Sequence, residues 1–307
     1  MNLLLTGAFR YTDDQIKSLK SLGFNITYVQ NEREPINIDC TIFDAVVCNS
    51  LFLYNHINNF NNLKFIQATS AGLDRLPLNY ITRKSIILKN AKGVYSVPMA
   101  EWCMTKILDI YKNTKFFFDK QNECAWEKNR ELLELNGSCA AIIGAGDIGT
   151  QVAKRLKAFD VSVAAVDLVK PLSHYYDAYY HIDNIEDIIK KSDIVIITLP
   201  LTELTKNLFD RELLFSMKPN SIIINMSRGG IIDEKCLVQC LKTKKIKAAA
   251  LDVFENEPLD SQSELWNIDN LYISPHNSFV SPKNIERLFS VIYNNLKEFI
   301  NMRGQII

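Results

Sequence analysis

The sequence predicts an α/β protein made of two doubly wound parallel-sheet domains, and three observations predict it. Short apolar runs alternate with stretches of helical periodicity along most of the chain, as a parallel sheet covered by helices on both faces requires. At 307 residues the chain is long for one core, so two domains are expected. One segment, 138–167, reads strand, glycine turn, helix, strand and terminal acid without a break.

That segment carries the most chemistry. Ser138-Cys-Ala-Ala-Ile-Ile143 is a strand-type run, followed at once by Gly144-Ala-Gly146-Asp147-Ile148-Gly149. Ile148, Val152, Leu156 and Phe159 recur at helical spacing, and Val161 to Val166 forms a second strand ending on Asp167. Gly144 permits the sharp turn, Gly146 lets backbone approach a pyrophosphate, and Gly149 lets helix and strand pack closely. The N–H groups and dipole at the helix start favour phosphate charge. Asp167 suits ribose hydroxyls and repels a 2′-phosphate, which points to NAD over NADP. Both domains are expected to be Rossmann-like, and the second carries this fingerprint.

Taken in order, residues 1–97 read as a small α/β unit. Its strand candidates are Leu3–Leu5, Asn25–Val29, Phe43–Cys48, Lys64–Gln67 and Ile86–Leu88, with a helix from Asp13 to Leu22 closed by Gly23. From Pro98 to Asp119 the pattern predicts one long helix, apolar on much of its surface, lying between domains or against a partner subunit. Further strands are expected at Asp193–Leu199, Ser221–Met226, Lys247–Val253 and Leu271–Ser274, with helices between them. The amphipathic stretch Ser281–Met302 is expected to cross back to the first domain. The expected domains are 1–97 plus 279–307, and 98–278, with a cleft between them.

Composition excludes several classes. Formal net charge is zero, so neither nucleic acid nor a membrane surface is an expected partner. No apolar stretch reaches spanning length and the first residues do not form a signal peptide, so a cytoplasmic location is expected. The seven cysteines lack CxxC pairs and read as buried reduced thiols, and no metal site is expected.

Three residues at strand ends beyond the glycine turn could do chemistry: Arg228, Glu257 and His276. Doubly wound sheets gather ligands at the carboxyl ends of their strands. A guanidinium grips a carboxylate, an imidazolium protonates an oxygen, and a carboxylate behind the imidazole fixes its tautomer. Taken singly, each also has an ordinary structural reading: a capping arginine, a loop acid, a strand-end histidine.

The chain resembles the D-isomer-specific 2-hydroxyacid dehydrogenase family over nearly its whole length. Matching stretches are Ser70-Ala71-Gly72-Leu-Asp74, Gly93 through Glu101, the glycine turn, and Leu199-Pro200-Leu-Thr202 with Thr205. Further on come Asn225-Met226-Ser-Arg-Gly-Gly230, Leu251-Asp252-Val-Phe-Glu-Asn-Glu-Pro258, Leu265-Trp266 and Ser274-Pro-His276. The resemblance implies NAD as cofactor and a small 2-keto or 2-hydroxy acid as substrate. It implies that Arg228 holds the substrate carboxylate and carbonyl, and that His276 is acid and base, with Glu257 as its partner. It places cofactor contacts at Leu199, Pro200 and Thr205, and gives the nicotinamide carboxamide to Asp252 and the Met226 carbonyl. The substrate carboxylate goes to Ser70, Ala71 and Gly72, through N–H groups at the last two. Formate dehydrogenases of this family carry glutamine where Glu257 stands, so the Glu–His pair implies hydroxy-acid chemistry. Thr198 departs from a frequent histidine, and Asn277-Ser-Phe-Val280 from a frequent pair of small residues.

A second reading on the same fold is an NAD-sensing, corepressor-like protein-binding module. The apolar helix from Pro98 and the resemblance both imply a homodimer. Substrate choice is expected to lie with Leu51–Tyr54, Ser70–Leu73 and Phe279, where Leu51 to Tyr54 read equally as pocket wall or as core. No arginine or lysine cluster obvious enough to bind a substrate phosphate stands near the Ser70 loop, although Arg75 could bind one.

Overall fold

The computed structural model describes residues 1–304, and residues 305–307 of the expected C-terminal segment lie outside the described residues. The chain divides into two compact units, one made of residues 1–95 with the segment from Ser281, the other of Ser96–Val280. The boundaries read from the sequence fall two residues inside the second unit at each end.

In the first unit five parallel strands, β1 (Asn2–Thr6), β2 (Asn25–Val29), β3 (Ala45–Cys48), β4 (Phe65–Ala68) and β5 (Ile87–Lys89), are ordered β2-β1-β3-β4-β5. Strand periodicity sorts their side chains between two faces. Leu3, Leu5, Ala45, Val47 and Phe65 face the C-terminal helix Asn284–Gly304, which contributes Leu288, Ile292, Leu296 and Phe299. Leu4, Val46, Cys48, Ile66 and Ala68 face the other way, onto Phe43, Leu51, Phe60 and Ile81. Phe299 stacks on Phe65 with ring centroids 4.8 Å apart. Each buried Leu, Ile, Val or Phe among them contributes about 1.5–3 kcal/mol through area removed from water.

Strand order reverses between β1 and β3, where open α/β sheets leave a crevice. Glu32 fills it from within. Its buried carboxylate accepts the Thr6 hydroxyl at 2.6 Å, the Ser50 N–H at 2.6 Å and the Asn49 N–H at 3.1 Å. The amides that could hold an outside anion are thereby consumed. Glu32→Ala strands three donors, each costing about 1–3 kcal/mol when left unmatched. We expect a lower urea midpoint with an unchanged slope. A midpoint equal to that of the wild type contradicts this role.

The second unit holds seven parallel strands, β6 (Cys139–Ile143), β7 (Ser162–Asp167), β8 (Ala178–His181), β9 (Ile194–Ile197), β10 (Ile222–Asn225), β11 (Ala248–Leu251) and β12 (Leu271–Ile273). Their order is β12-β11-β10-β9-β6-β7-β8. The central strands β9, β10 and β11 are buried along their whole length, which explains their unbroken apolar runs. Strand β8 is an addition to the sequence reading. Its Ala-Tyr-Tyr-His segment is short, half-exposed and paired only with β7.

The single helix expected over 98–119 is two helices, Ser96–Tyr111 and Thr114–Asn122. The break falls at Asn113, whose φ of 48° is left-handed, a conformation asparagine tolerates better than most residues. The first helix does not wait for a partner to cover its apolar face. Ala100, Cys103, Met104, Ile107 and Ile110 pack with Val152, Ala153 and Leu156 inside the second unit's own core. All seven cysteines are free, but only Cys48, Cys103 and Cys240 are buried, so the expectation of buried thiols holds for three. Among the described residues no helix is long and apolar enough to cross a membrane.

Candidate active site

The glycine turn sits where the second sheet reverses, between β6 and β9. Gly144 takes φ 102°, and a Cβ there would approach Leu199 N and Thr198 C to 2.9 Å. The turn is thus pressed onto the loop leaving β9, with Thr198 donating its hydroxyl hydrogen to the Gly144 carbonyl. Gly149 is equally confined, since its Cβ would overlap the Gly144 carbonyl oxygen. Gly146 is different. A Cβ built there meets nothing within 4 Å, so the turn is open on that side. It caps the helix Asp147–Lys157 without any side-chain hydrogen bond. Asp167 closes the arrangement: its carboxylate accepts the Ala145 N–H at 2.6 Å and the Leu168 N–H at 2.7 Å. An open glycine turn, an uncapped helix start and an acid tied beside them fit a dinucleotide.

Tyr176 is a neighbour that sequence reasoning missed. Its hydroxyl oxygen lies 3.1 Å from the position of a Gly149 Cβ, and burial, with Asp167 nearby, pushes its pKa up to about 12. It follows β7 in an irregular stretch, where no motif marks it.

Leu199, Pro200 and Thr205 share one tight turn. The Thr205 hydroxyl donates to the Pro200 carbonyl at 2.6 Å and accepts the Thr202 N–H at 2.8 Å. The Met226 side chain is core, packed among the apolar residues below β10.

Arg228, Glu257 and His276 leave the carboxyl ends of three adjacent strands, β10, β11 and β12. Arg228 is shaped by Asn225, a buried residue the sequence reading did not single out. Asn225 accepts the Ser227 N–H and hydroxyl at 3.1 and 2.8 Å, and its amide donates to the Arg228 carbonyl at 2.9 Å. A polar residue closing the run Ile222-Ile-Ile-Asn225 was the available signal. Gly229 follows because a Cβ there would overlap the Phe254–Glu255 backbone. The Arg228 loop and the Glu257 loop are therefore in van der Waals contact through their main chains.

Glu257 turns back on that same loop, accepting the Phe254 N–H on Oε1 at 3.0 Å, while Oε2 meets His276 Nδ1 at 2.7 Å. His276 is held in the left-handed region, φ 49°, by its own N–H, which donates to the Asp252 carbonyl at 2.7 Å. The Asp252 carboxylate is fully buried and accepts the Ser274 hydroxyl at 2.6 Å, the Asn277 N–H at 2.8 Å and the Ser278 N–H at 2.9 Å. Asp252 thus fastens the histidine loop from both sides. Phe279 meets the imidazole edge-on at 6.0 Å between centroids. Glu234 also enters this region, accepting the Glu255 N–H at 2.5 Å. Burial raises its pKa above the usual carboxylate range, with the charges of Glu255 and Glu257 adding to the effect.

On the first unit, the Ser70–Gly72 turn follows β4. The Ser70 hydroxyl donates to the Gly72 carbonyl at 2.8 Å, and Asn90 donates to the Ala71 carbonyl at 2.7 Å. Neither the Ala71 nor the Gly72 N–H donates to any described residue. The four residues Leu51 to Tyr54 divide evenly. Leu51 is core and Phe52 packs edge-on against Phe60, while Leu53 and Tyr54 face solvent.

Fold and site define a doubly wound α/β protein with a dinucleotide turn beside an imidazole–carboxylate pair. Residues 104–278 match the family described as D-isomer specific 2-hydroxyacid dehydrogenase, NAD binding domain. The chain is 33% identical to a D-3-phosphoglycerate dehydrogenase of Methanocaldococcus jannaschii, over 81% of this chain and 48% of that enzyme. It is 29% identical to an (S)-sulfolactate dehydrogenase of Chromohalobacter salexigens, over 92% and 93% of the two chains. A family protein from Aeromonas salmonicida superposes with a TM-score of 0.82 at 27% identity, covering 98% of this chain and 95% of that one. The chain spans about half the length of the phosphoglycerate dehydrogenases it matches. It belongs to the D-isomer specific 2-hydroxyacid dehydrogenase family.

Proposed function

We propose that this protein is an NAD-dependent oxidoreductase interconverting a small 2-keto acid and its D-2-hydroxy acid. The observation that carries this reading is the 2.7 Å Glu257–His276 pair, on a loop fastened by Asp252 and in register with the loop of Arg228. NAD(H), when bound, supplies or accepts the hydride. The N–H groups from Gly146 to Gly149 would hold its diphosphate, Asp167 its ribose hydroxyls, and Leu199, Pro200, Thr205 and the Met226 carbonyl its other end, while Asp252, buried and bound to Ser274, Asn277 and Ser278, acts by fastening the His276 loop.

The protein's own residues do the rest. The Arg228 guanidinium is suited to the substrate carboxylate and the keto oxygen, polarising the carbonyl, and the Ala71 and Gly72 N–H groups are a further pair of donors suited to a carboxylate. Glu257 accepts a hydrogen bond from His276 Nδ1, so Nε2 carries the proton given to the substrate. In reduction the carbonyl π bond breaks as hydride reaches carbon and the Nε2 proton reaches oxygen. Oxidation reverses each movement, with neutral His276 as the base.

The test is NADH consumption across a panel of 2-keto acids, followed by stopped flow. Rapid turnover with at least one member is expected, with NADPH a much poorer donor because Asp167 repels a 2′-phosphate. Equal use of NADPH contradicts the role of Asp167. Tight NADH binding without turnover on any acid points instead to a dinucleotide-sensing module.

We also propose that the protein is a homodimer. Trp126 is 97% exposed, and Phe117 and Phe118 are exposed on the helix that precedes it. Apolar surface of this kind marks an interaction face. Light scattering at micromolar concentration is expected to give twice the chain mass, and Trp126→Ser with Phe118→Ser to lower it. A monomeric wild type contradicts the proposal.

A further inference from the structure

The reading above makes the Ala71 and Gly72 N–H groups donors suited to a carboxylate. It leaves unused a guanidinium three residues further along the same loop. Arg75 reaches back toward the end of β3, where its Nη1 lies 3.5 Å from the Ser50 Oγ. That is a long contact to a hydroxyl. Among the described residues, no carboxylate lies within 4.0 Å of the Arg75 guanidinium, and no other hydrogen bond engages it. An arginine carries five N–H donors in a planar fork matched to oxyanions, so most of its capacity faces outward.

The surroundings narrow what it can take. Ser50 is buried, only 3% exposed, and its backbone N–H is bound by the Glu32 carboxylate, as is that of Asn49. An anion arriving at this edge finds those amides already satisfied and the Ser50 hydroxyl and Arg75 fork still available. The Glu32 carboxylate is held by Thr6, Asn49 and Ser50 and makes no ion pair with the arginine.

We infer that Arg75 and Ser50 form a second anion subsite, and that the substrate is a 2-keto acid whose far end carries a carboxylate, sulfonate or phosphate. This rests on the 2-keto acid reading of the preceding section. The near carboxylate occupies the Ala71 and Gly72 amides, and the distal oxyanion occupies the guanidinium on the same loop. Arg75 is a specificity residue: it touches the end of the substrate that does not react.

The experiment compares kcat/KM, with saturating NADH, for neutral-tailed pyruvate and 2-oxobutyrate against three acids with a second anionic group, of charge two or more. These are 2-oxoglutarate, 3-sulfopyruvate and 3-phosphohydroxypyruvate, carrying the three candidate oxyanions. The wild type is expected to favour at least one of these three over the neutral-tailed acids, and the favoured member identifies the group. In Arg75→Gln the ratio of kcat/KM, anionic-tailed over neutral-tailed, is expected to fall about 10- to 100-fold, mainly through KM, the range for a lost hydrogen-bonded charge contact. Ser50→Ala is expected to lower the same ratio by a smaller factor. A wild type that prefers the neutral acids, or a ratio unchanged in Arg75→Gln, overturns the subsite while leaving the dehydrogenase reading intact. Turnover of none of the five acids removes both together, a different signature.

Discussion

Replacing His276 with asparagine is expected to lower kcat for keto-acid reduction by about 10²- to 10⁴-fold, the usual contribution of a positioned general acid. The affinity for NADH, read by fluorescence quenching, is expected to stay within a few-fold of the wild type. Asparagine is the informative substitution because position 276 has φ 49°, which asparagine adopts with little strain. The N–H donated to Asp252 is therefore kept, and the loop stays where Asp252 holds it. What is lost is the ring nitrogen to which the proposal gives the proton, and the pairing of the ring with Glu257. Glu257→Gln is the milder companion: the Phe254 N–H retains an acceptor, while the tautomer loses its charged partner. Full turnover in His276→Asn contradicts the assignment of the proton to that side chain.

Gly229→Ala is the second large effect, and it tests how the loops are joined rather than what they carry. The added Cβ would overlap the Phe254 carbonyl and the Glu255 nitrogen, which are backbone and cannot rotate away. Either the Arg228 loop or the Glu257 loop must move. Overpacking of this kind costs about 1–3 kcal/mol in stability. Displacement of catalytic groups by about 1 Å lowers activity about 100-fold. The control lies one residue on. A Cβ at Gly230 meets only the Leu201 methyls, at 3.6 Å, so Gly230→Ala is expected to leave the urea midpoint nearly unchanged. Equal behaviour of the two variants contradicts the interlock.

Much of the fold was legible because each strand advertises itself twice, by its apolar run and by the turn that ends it. β2 matches its expected bounds, and β3, β4 and β9 to β12 lie inside or within a residue of theirs. Where apolar content was not the deciding variable, the sequence was silent. The apolar stretch beyond Pro98 continues through Asn113, so periodicity cannot see a break set by one left-handed residue. β8 pairs with the open edge of β7, and at four half-exposed residues it is too short for its two strand-favouring tyrosines to stand out as a strand. Leu51 and Phe52 could not be separated from Leu53 and Tyr54 before the packing around Phe60 was known.

The site was legible as residue types at strand ends, not as contacts. Nineteen positions separate Glu257 from His276, and only the pairing of β11 with β12 sets them face to face. The roles of Asn225 and Glu234 were hidden for a related reason. Both act on backbone N–H or carbonyl groups of loops, and such bonds leave no pattern in side-chain spacing.

The most direct measurement uses NADH deuterated at its transferring carbon, with the best keto acid from the panel and mass and chiral analysis of the product. Deuterium at C2 of a D-2-hydroxy acid, one atom per NADH consumed, is the predicted result. A product without deuterium at C2 would contradict direct hydride transfer beside the His276–Glu257 pair, and one of L configuration would contradict the D-2-hydroxy acid assignment.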